Sequence, residues 1–362
     1  MSSSTEFLLI ESVIKIAVIM FVLLTAIAYL TWLERKVIGH IQARWGPYRV
    51  GPHGLLQPLA DGLKFMFKED IAPLEADGPL YWLAPFLAFL MAFLSIAVIP
   101  FGESFTLAGH RIALQITDLN VGLLFIFAVT SLGVYSVALA GWSSNSKYPL
   151  LGGLRSSAQM ISYEISLTLG VIGVVMIAGT LSLREIVNQQ AGLWAHSGVL
   201  SLLPRWNLFL QPVGFLVYFI AAIAETNRIP FDLPESETEL VAGFHTEYSS
   251  FKFAIFFMSE YANMITVAAV ATLLFFGGWL GPVFGPAPLR VILPVFWFTL
   301  KVFCFLFFYI WVRGTLPRFR YDQLMAFGWK VLLPVGLLNI PLTSAVVAWM
   351  HYSGGFRLPG SG

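Results

Sequence analysis

The sequence is poor in charge and in cysteine. Asp, Glu, Lys and Arg make up only 11% of its 362 residues, whereas soluble domains carry roughly 25%. The formal net charge of +1 gives no basic surface that would attract nucleic acid. The single cysteine, Cys304, leaves no internal disulfide and no cysteine-rich metal cluster. These shortages exclude an ordinary soluble domain and give no reason to expect nucleic-acid binding.

The sequence also lacks the motifs of cofactor and nucleotide sites. It has no GxGxxG run opening a βαβ unit, no GxxxxGK[ST] loop and no CxxC or CxxCH pair. Its six histidines are scattered, and none pairs with another at the spacing of metal ligands. We therefore expect no catalytic residue, bound redox cofactor or metal in this chain. Its energy source would be an ion gradient or a partner protein.

Long apolar runs are what the sequence has instead. It is 57% hydrophobic and 15% aromatic, with a mean hydropathy of +0.78. Eight runs approach the roughly 20 residues of a spanning helix. They lie near 12–33, 82–101, 118–140, 157–180, 207–226, 254–276, 291–312 and 330–351. A shorter, more charged segment near 55–69 has apolar residues at helical spacing, which is typical of a helix in the membrane interface.

The fold predicted from these runs is an all-α membrane protein. It has about eight transmembrane helices plus one interfacial amphipathic helix on the cytoplasmic side. Residues 1–352 form a single membrane domain and 353–362 a tail. Most Lys and Arg residues lie in the loops 34–81, 141–156, 227–253 and 313–330. By the positive-inside rule these loops face the cytoplasm, so both termini face outward.

Four charged residues fall inside predicted spans: Glu164, Glu225, Glu260 and Lys301. A charge at the bilayer centre costs about 2.5–3.5 kcal/mol even on the lenient insertion scale, so such residues indicate function. The plain alternative is a buried ion pair or a carboxylate hydrogen-bonded to backbone. Three carboxylates with one cation favour a hydrated proton relay over four independent structural contacts.

The third basic loop continues this acidic pattern. Its carboxylates are Asp232, Glu235, Glu237, Glu239 and Glu247. They follow Glu225 closely in the sequence and are interrupted by prolines and apolar residues. One interpretation is a solvated acidic loop, and the other is an ordered acidic funnel that feeds the buried carboxylates. The spacing leaves both open.

The first basic loop has a different chemistry. Glu34-Arg35-Lys36 ends the first span, and a turn-rich stretch at 46–54 precedes the predicted interfacial helix. Arginine beside aromatic and apolar surface suits a ligand with a polar head and a lipid tail. Positive-inside anchoring is the alternative.

Five segments, three of them long, resemble the H-type membrane subunits of proton-translocating NADH:quinone oxidoreductase, respiratory complex I. They occur in order along essentially the whole chain, at Glu34–Lys36, Gly46–Lys64, Ser162–Glu164, Glu225–Glu235 and Arg313–Gln323. The resemblance implies a protein of the bacterial inner membrane that forms the membrane side of the quinone chamber. Quinone is then the substrate, whereas NADH, FMN and iron–sulfur clusters belong to partner subunits. The implied partners are the peripheral subunits at the quinone site, the antiporter-like membrane subunits and the lipid bilayer.

The resemblance also implies roles for individual residues. With the buried charges above, the proton-coupling set is Tyr163, Glu164, Glu225, Asp232, Glu235, Glu237, Glu239, Glu247, Glu260 and Lys301. The set near the quinone path is Glu34, Arg35, Asp61, Arg228, Phe231 and Arg313. Two other classes stay open: the related membrane subunit of an ion-translocating hydrogenase, and a free-standing proton-coupled transporter. The first-loop segment argues against the hydrogenase, and the lack of an internal repeat argues against the transporter.

Overall fold

The structure, a computed structural model, describes residues 2–107, 110–192, 204–232 and 242–352. The helices are α1 (Ser2–Ile41), α2 (Gln57–Phe67), α3 (Gly78–Leu94), α4 (Gly122–Ser143), α5 (Lys147–Ala178), α6 (Leu183–Gln189), α7 (Asn207–Leu210), α8 (Pro212–Glu225), α9 (Ser250–Phe275), α10 (Ala287–Thr315), α11 (Tyr321–Phe327) and α12 (Leu333–Tyr352). A π-helical turn at Gly328–Leu332 joins α11 to α12. The all-α prediction is confirmed. One small antiparallel hairpin, β1 (Phe105–Leu107) with β2 (His110–Ile112), was not predicted.

Within the described residues, seven helical segments are long and apolar enough to cross a membrane, so the chain is a multi-pass membrane protein. They are Ile10–Ile41, Gly78–Val98, Gly122–Ser143, Lys147–Ala178, Ser250–Phe275, Pro288–Thr315 and Tyr321–Trp349. Each overlaps a predicted span. The remaining prediction, 207–226, falls on the broken pair α7 and α8, and α8 has only 14 residues.

The break between α7 and α8 has a local cause. Gln211 has φ −129° and ψ 53°, which is not helical. It precedes Pro212, whose ring disfavours the α conformation of the residue before it and which lacks a backbone N–H. Two buried side chains of α12 hold the irregular residue: Gln211 donates to Thr343 Oγ1 (2.8 Å) and accepts from Asn339 Nδ2 (3.0 Å).

The centre of the bundle is α5, which packs against α4, α8 and α12. Gly170 lets α5 and α8 approach closely. A Cβ on Gly170 would lie 2.8 Å from both Gly214 O and Tyr218 N. Such small-residue contacts are common between membrane helices, because lipid supplies no hydrophobic force to press the helices together.

The four basic loops meet at one end of the bundle, as the predicted topology requires. Asn145 Nδ2 donates to Glu75 O (3.2 Å), which joins the second loop to the first. Lys252 pairs with Asp70 (2.9 Å), which joins the third loop to the first. The backbone N–H of Phe319 donates to Pro230 O (3.1 Å), which joins the fourth loop to the third.

The predicted interfacial helix is present as α2. None of its residues is buried, and Leu59, Met66 and Phe67 are 64%, 70% and 86% exposed. The helix is therefore attached to the bundle by few side chains and presents an apolar face outward. That face suits the boundary between lipid headgroups and acyl chains.

A substitution at Gly170 tests the close contact between α5 and α8. Gly170→Ala places a methyl group against the backbone of α8, where no flexible side chain can move aside. Overpacking of this kind costs about 1–3 kcal/mol, so thermal unfolding of the protein in detergent should begin at a lower temperature. Gly133→Ala is the matched control, because its Cβ would meet only Met91 Cβ, at 4.0 Å. Equal unfolding midpoints for the two variants would contradict this packing.

Candidate functional site

Two consecutive residues of α1 face opposite surroundings. Glu34 is 4% exposed and points into the bundle, whereas the Arg35 side chain is 51% exposed. Consecutive residues on an α-helix are separated by about 100° around the axis, which allows this division. One turn of α1 therefore contacts both the interior of the bundle and its surface.

Outward, Arg35 holds α2. Arg35 Nη1 lies 2.6 Å from Asp61 Oδ2, and Gln57 Nε2 donates to the other carboxylate oxygen of Asp61 at 3.1 Å. Lys64 lies 3.7 Å from the same carboxylate. The structure thus brings Arg35 and Asp61, two of the predicted quinone-path residues, into direct contact beside the exposed apolar face of α2.

Inward, Glu34 belongs to a buried ion network, which also contains Arg228, Glu260, Tyr261 and Arg313. Arg228 Nη1 lies 3.4 Å from both carboxylate oxygens of Glu34, and Arg228 Nε lies 2.7 Å from Glu260 Oε1. Arg313 pairs with Glu34 from α10, and Tyr261 OH donates to Glu34 Oε2 at 2.8 Å. Two carboxylates and two guanidinium groups balance in charge.

Arg228 is the residue of this network that forms ion pairs with both Glu34 and Glu260. It is 5% exposed, and its guanidinium lies 4.3 Å from the Tyr261 ring centre, a geometry in which cation and ring attract. A buried charge that loses its partner costs about 3–5 kcal/mol. The network is therefore stable as a set and unstable when one member is removed.

Glu260 also borders a partly open cavity, which Glu225 lines as well. The cavity has a volume of about 60 Å³, which leaves room for about four to six waters at 10–15 Å³ each. Its walls come from α3, α4, α5, α8, α9 and the turns after α8 and before α9. Polar groups from Thr130, Ser136, Asn227, Ser259 and Asn263 line it beside the two carboxylates, and such groups are what buried water needs as partners.

Glu225 and Glu164 differ from Glu260 in having no cation in contact within the described ranges. The Glu225 Oε2 atom is buried and accepts no hydrogen bond there. Glu164 accepts a hydrogen bond from Ser131 of α4, and its carboxylate lies near enough to Glu225 for the two to interact electrostatically. Charging Glu225 is therefore costly, since a buried carboxylate needs donors or a cation to replace water.

Three predicted site residues serve mainly to anchor the loop after α8. Phe231 is 4% exposed and stacks on Phe319, with ring centres 5.5 Å apart. Tyr163 OH donates to Leu324 O (2.8 Å), and its ring centre lies 5.8 Å from that of Phe231. Asp232 lies 3.2 Å from Arg318. Their coupling and quinone-binding roles stay predictions, while their visible contacts fix the position of Arg228.

Lys301 lies far from the carboxylates. Its ammonium donates to the carbonyls of Phe276 (2.8 Å), Gly278 (2.9 Å) and Leu280 (2.7 Å) just beyond the end of α9. Sixteen residues of helix separate Glu260 from Phe276, which is roughly 24 Å. The contacts are those of a cation at a helix C-terminus, where carbonyls lack intrahelical partners.

The structure shows fewer contacts for the remaining predicted site residues. The side chain of Glu247 is partly exposed, and its carbonyl accepts a hydrogen bond from Tyr81 OH at 2.7 Å. Glu235, Glu237 and Glu239 lie outside the described residues.

Several functional side chains were missed from the sequence. Gln159 of α5 donates to Ala224 O (2.8 Å) and Phe231 O (2.9 Å), so it holds both ends of the turn that carries Arg228. Asn227 adopts φ 49°, which Asn tolerates better than most residues, and donates to Ser156 Oγ at 3.1 Å. A polar residue within an apolar helix was the available signal for Gln159.

Lys252 was counted only as a basic loop residue. It is 3% exposed, pairs with Asp70, and lies 3.8 Å from the ring centre of Trp82. Nearby, Tyr248 stacks on Tyr81 with ring centres 4.2 Å apart, and burial raises the pKa of Tyr248 to about 12. This tight cluster fixes the start of α9, the helix that carries Glu260.

Known proteins resemble this chain over nearly its full length. A family model described as NADH dehydrogenase matches residues 14–344. The chain is 60% identical to NADH-quinone oxidoreductase H subunit 2 of Koribacter versatilis, over 96% of this chain and 99% of that protein. It is 53% identical to H subunit 1 of Solibacter usitatus, over 93% and 97%. It is also 53% identical to H subunit 2 of Geobacter metallireducens, over 94% and 96%. The matched range contains the whole ion network and the cavity.

A double-mutant cycle tests whether Arg228 serves both carboxylates. Arg228→Met should destabilise the protein by about 3–5 kcal/mol, because Glu34 and Glu260 lose their shared cation. Adding Glu260→Gln removes one of those charges and should recover part of the loss. Denaturation in detergent of the two single variants and the double variant gives the coupling energy.

Arg320→Met is the control for that cycle, because the Arg320 side chain is 79% exposed and pairs with the exposed Asp322. Its effect should stay within about 0.5 kcal/mol. Strictly additive losses from Arg228→Met and Glu260→Gln would show that the two residues do not interact.

Proposed function

Since this chain belongs to the NADH dehydrogenase family, whose relatives are the H subunits of NADH-quinone oxidoreductase, we propose that it forms the membrane side of the quinone-binding site. It couples quinone reduction to proton translocation through its buried carboxylates. The observation that carries the proposal is Arg228, which contacts Glu34 on the α1 side and Glu260 at the cavity.

Quinone reaches the site past α2 and α1. The exposed apolar face of α2 suits an isoprenoid tail, and the Arg35–Asp61 pair beside it offers a polar contact for the head group. Glu34 follows directly inward on α1. A ligand at this junction therefore has apolar surface and a charged pair within one helical turn of the buried ion network.

Coupling begins when reduction changes the charge or hydrogen bonding near Arg35 and Glu34. Two unit charges 4 Å apart interact by about 4 kcal/mol at an effective dielectric constant of 20. A change at Glu34 alters how strongly Arg313 and Arg228 are attracted to it. Because one guanidinium contacts both carboxylates, a closer approach of Arg228 to Glu34 weakens its attraction to Glu260.

Proton movement follows in the cavity. Glu260 becomes easier to protonate as Arg228 moves away from it, since its negative charge loses its cation. Water in the cavity then connects Glu260 to Glu225 of α8. Glu164 of α5 is the next carboxylate after Glu225. The acidic residues Asp232, Glu235, Glu237, Glu239 and Glu247 supply protons from the loop side. In this proposal Lys301 keeps a structural role at the far end of α9.

The chain works only within a larger assembly. NADH oxidation, FMN and the iron–sulfur clusters belong to peripheral subunits, which dock on the basic loops. Antiporter-like membrane subunits receive the protonation change laterally. The chain lies in a bacterial inner membrane, and the positive-inside pattern supports cytoplasmic basic loops with both termini outside. The high identity to H subunits favours this function over a hydrogenase subunit or an independent transporter.

Replacement of Glu225 tests the proton pathway. Glu225→Gln keeps the shape of the side chain but cannot release a proton. In the assembled complex, reconstituted into vesicles, proton translocation driven by NADH and quinone should fall at least about tenfold, the low end of what a positioned acid–base group contributes. Quinone reduction measured without a proton gradient should fall with it.

Glu185→Gln is the matched control for that experiment. Glu185 is an exposed carboxylate in the first turn of α6, hydrogen-bonded to Thr180, and the variant should translocate protons at the wild-type rate. If Glu225→Gln pumps as fast as Glu185→Gln, Glu225 has no part in the pathway.

A further inference from the structure

The cavity contains a titratable residue that the mechanism above does not use. His245 lines it together with Glu225 and Glu260. Among the described lining residues these three are the only ones whose side chains are a carboxylic acid or an imidazole. The walls from α3, α4 and α5 contribute none. In the sequence this histidine is one of six scattered ones, so no spacing connects it to the carboxylates.

The backbone around His245 is held in place. His245 ends a 3₁₀ turn, Gly243–His245. Gly152 of α5 lies against this turn so closely that a Cβ on it would meet the carbonyl carbon of Gly243 at 2.7 Å. Phe244 packs edge-on against Phe256 of α9, with ring centres 5.4 Å apart. The imidazole therefore has a defined position between α5 and α9, as a group that passes protons requires.

The imidazole ring is packed between aromatic side chains. Its centre lies 4.9 Å from that of Phe244 and 5.2 Å from that of Phe253, both edge-on. The residue keeps intermediate exposure, and no atom of the described ranges hydrogen-bonds either ring nitrogen. Desolvation lowers the pKa of His245 to about 4. The ring is thus neutral near pH 7, with one N–H donor and one acceptor nitrogen.

We propose that His245 is a proton-relay residue, which passes protons between the acidic loop and the cavity that holds Glu225 and Glu260. This rests on the function proposed above. His245 follows the acidic segment 235–239 closely in the sequence, and its imidazole lines the cavity together with Glu225 and Glu260.

The relay step conserves charge and involves no electron transfer. The ring nitrogen without hydrogen accepts a proton from water on the loop side. The opposite nitrogen releases its own proton to a cavity water that leads to Glu225. One N–H bond forms and one breaks, which leaves the other tautomer of the neutral ring. Rotation of the ring restores the starting state, so no long-lived cation is needed between the phenylalanines.

His245→Phe and His245→Ala test the relay in the assembled, reconstituted complex. Phe preserves the aromatic packing but carries no proton, and both variants should translocate protons at least about tenfold more slowly. Imidazole added to the His245→Ala complex should restore part of the rate. Pyrrole, which has the same size and an N–H but no basic nitrogen, should not.

Thr246→Val is the control for disturbance of the turn. It removes the hydrogen bond from Thr246 Oγ1 to Gly243 O (2.7 Å) without removing a titratable group, and it should pump normally. Two results would assign His245 a packing role and overturn the proposal. One is that Thr246→Val pumps as slowly as the His245 variants, and the other is that pyrrole restores the rate as well as imidazole does.

The Glu225→Gln variant distinguishes failure of the His245 relay from failure of the proposed function. If His245→Phe pumps normally while Glu225→Gln does not, the relay role of His245 is wrong and the proposed function stands. If both pump normally, the carboxylate pathway itself is wrong.

Discussion

The guanidinium of Arg228 is the interaction on which the rest of the site depends. Two carboxylates from different helices share it: Glu34 of α1 and Glu260 of α9. Because the guanidinium is buried and shared, a change in the charge of one carboxylate is felt at the other. Gln159 and Asn227 fix the turn that carries Arg228, so the cation has little freedom to leave both partners.

The architecture holds Glu260 in a defined position beside the cavity. α9 is fixed near its start by the Lys252 cluster and just beyond its end by the three carbonyl contacts of Lys301. Glu260 lies between these fixed points and borders the cavity. The helix that carries Glu260 therefore has fixed contacts near its start and just beyond its end.

Much of the fold could be predicted from the sequence, because lipid imposes simple rules of length and polarity. The long apolar runs correspond to helices, and the basic loops meet at one end as their charge predicts. The break at Gln211 shortened one predicted span, since local proline chemistry outweighed hydropathy there. The hairpin at Phe105–Leu107 and His110–Ile112 was missed, because strands of three residues carry almost no periodic signal.

The site was only partly predictable, for a different reason. Buried charge in an apolar run identified Glu164, Glu225, Glu260 and Lys301, but periodicity does not show which of them meet. Tertiary packing separates Lys301 from the carboxylates and joins Glu34 to Glu260 through a loop arginine. Gln159, Lys252 and His245 gave weak signals, because their significance comes from neighbours distant in the sequence.

Redox-induced infrared difference spectroscopy of the assembled complex tests the central claim most directly. Protonation of a buried carboxylate produces a carbonyl stretching band that deprotonation removes. If Arg228 carries the charge change from Glu34 to the cavity, quinone reduction will produce such a difference band in the wild-type complex, and Glu260→Gln will lose it while still accepting electrons from NADH. An unchanged band in Glu260→Gln would contradict the account.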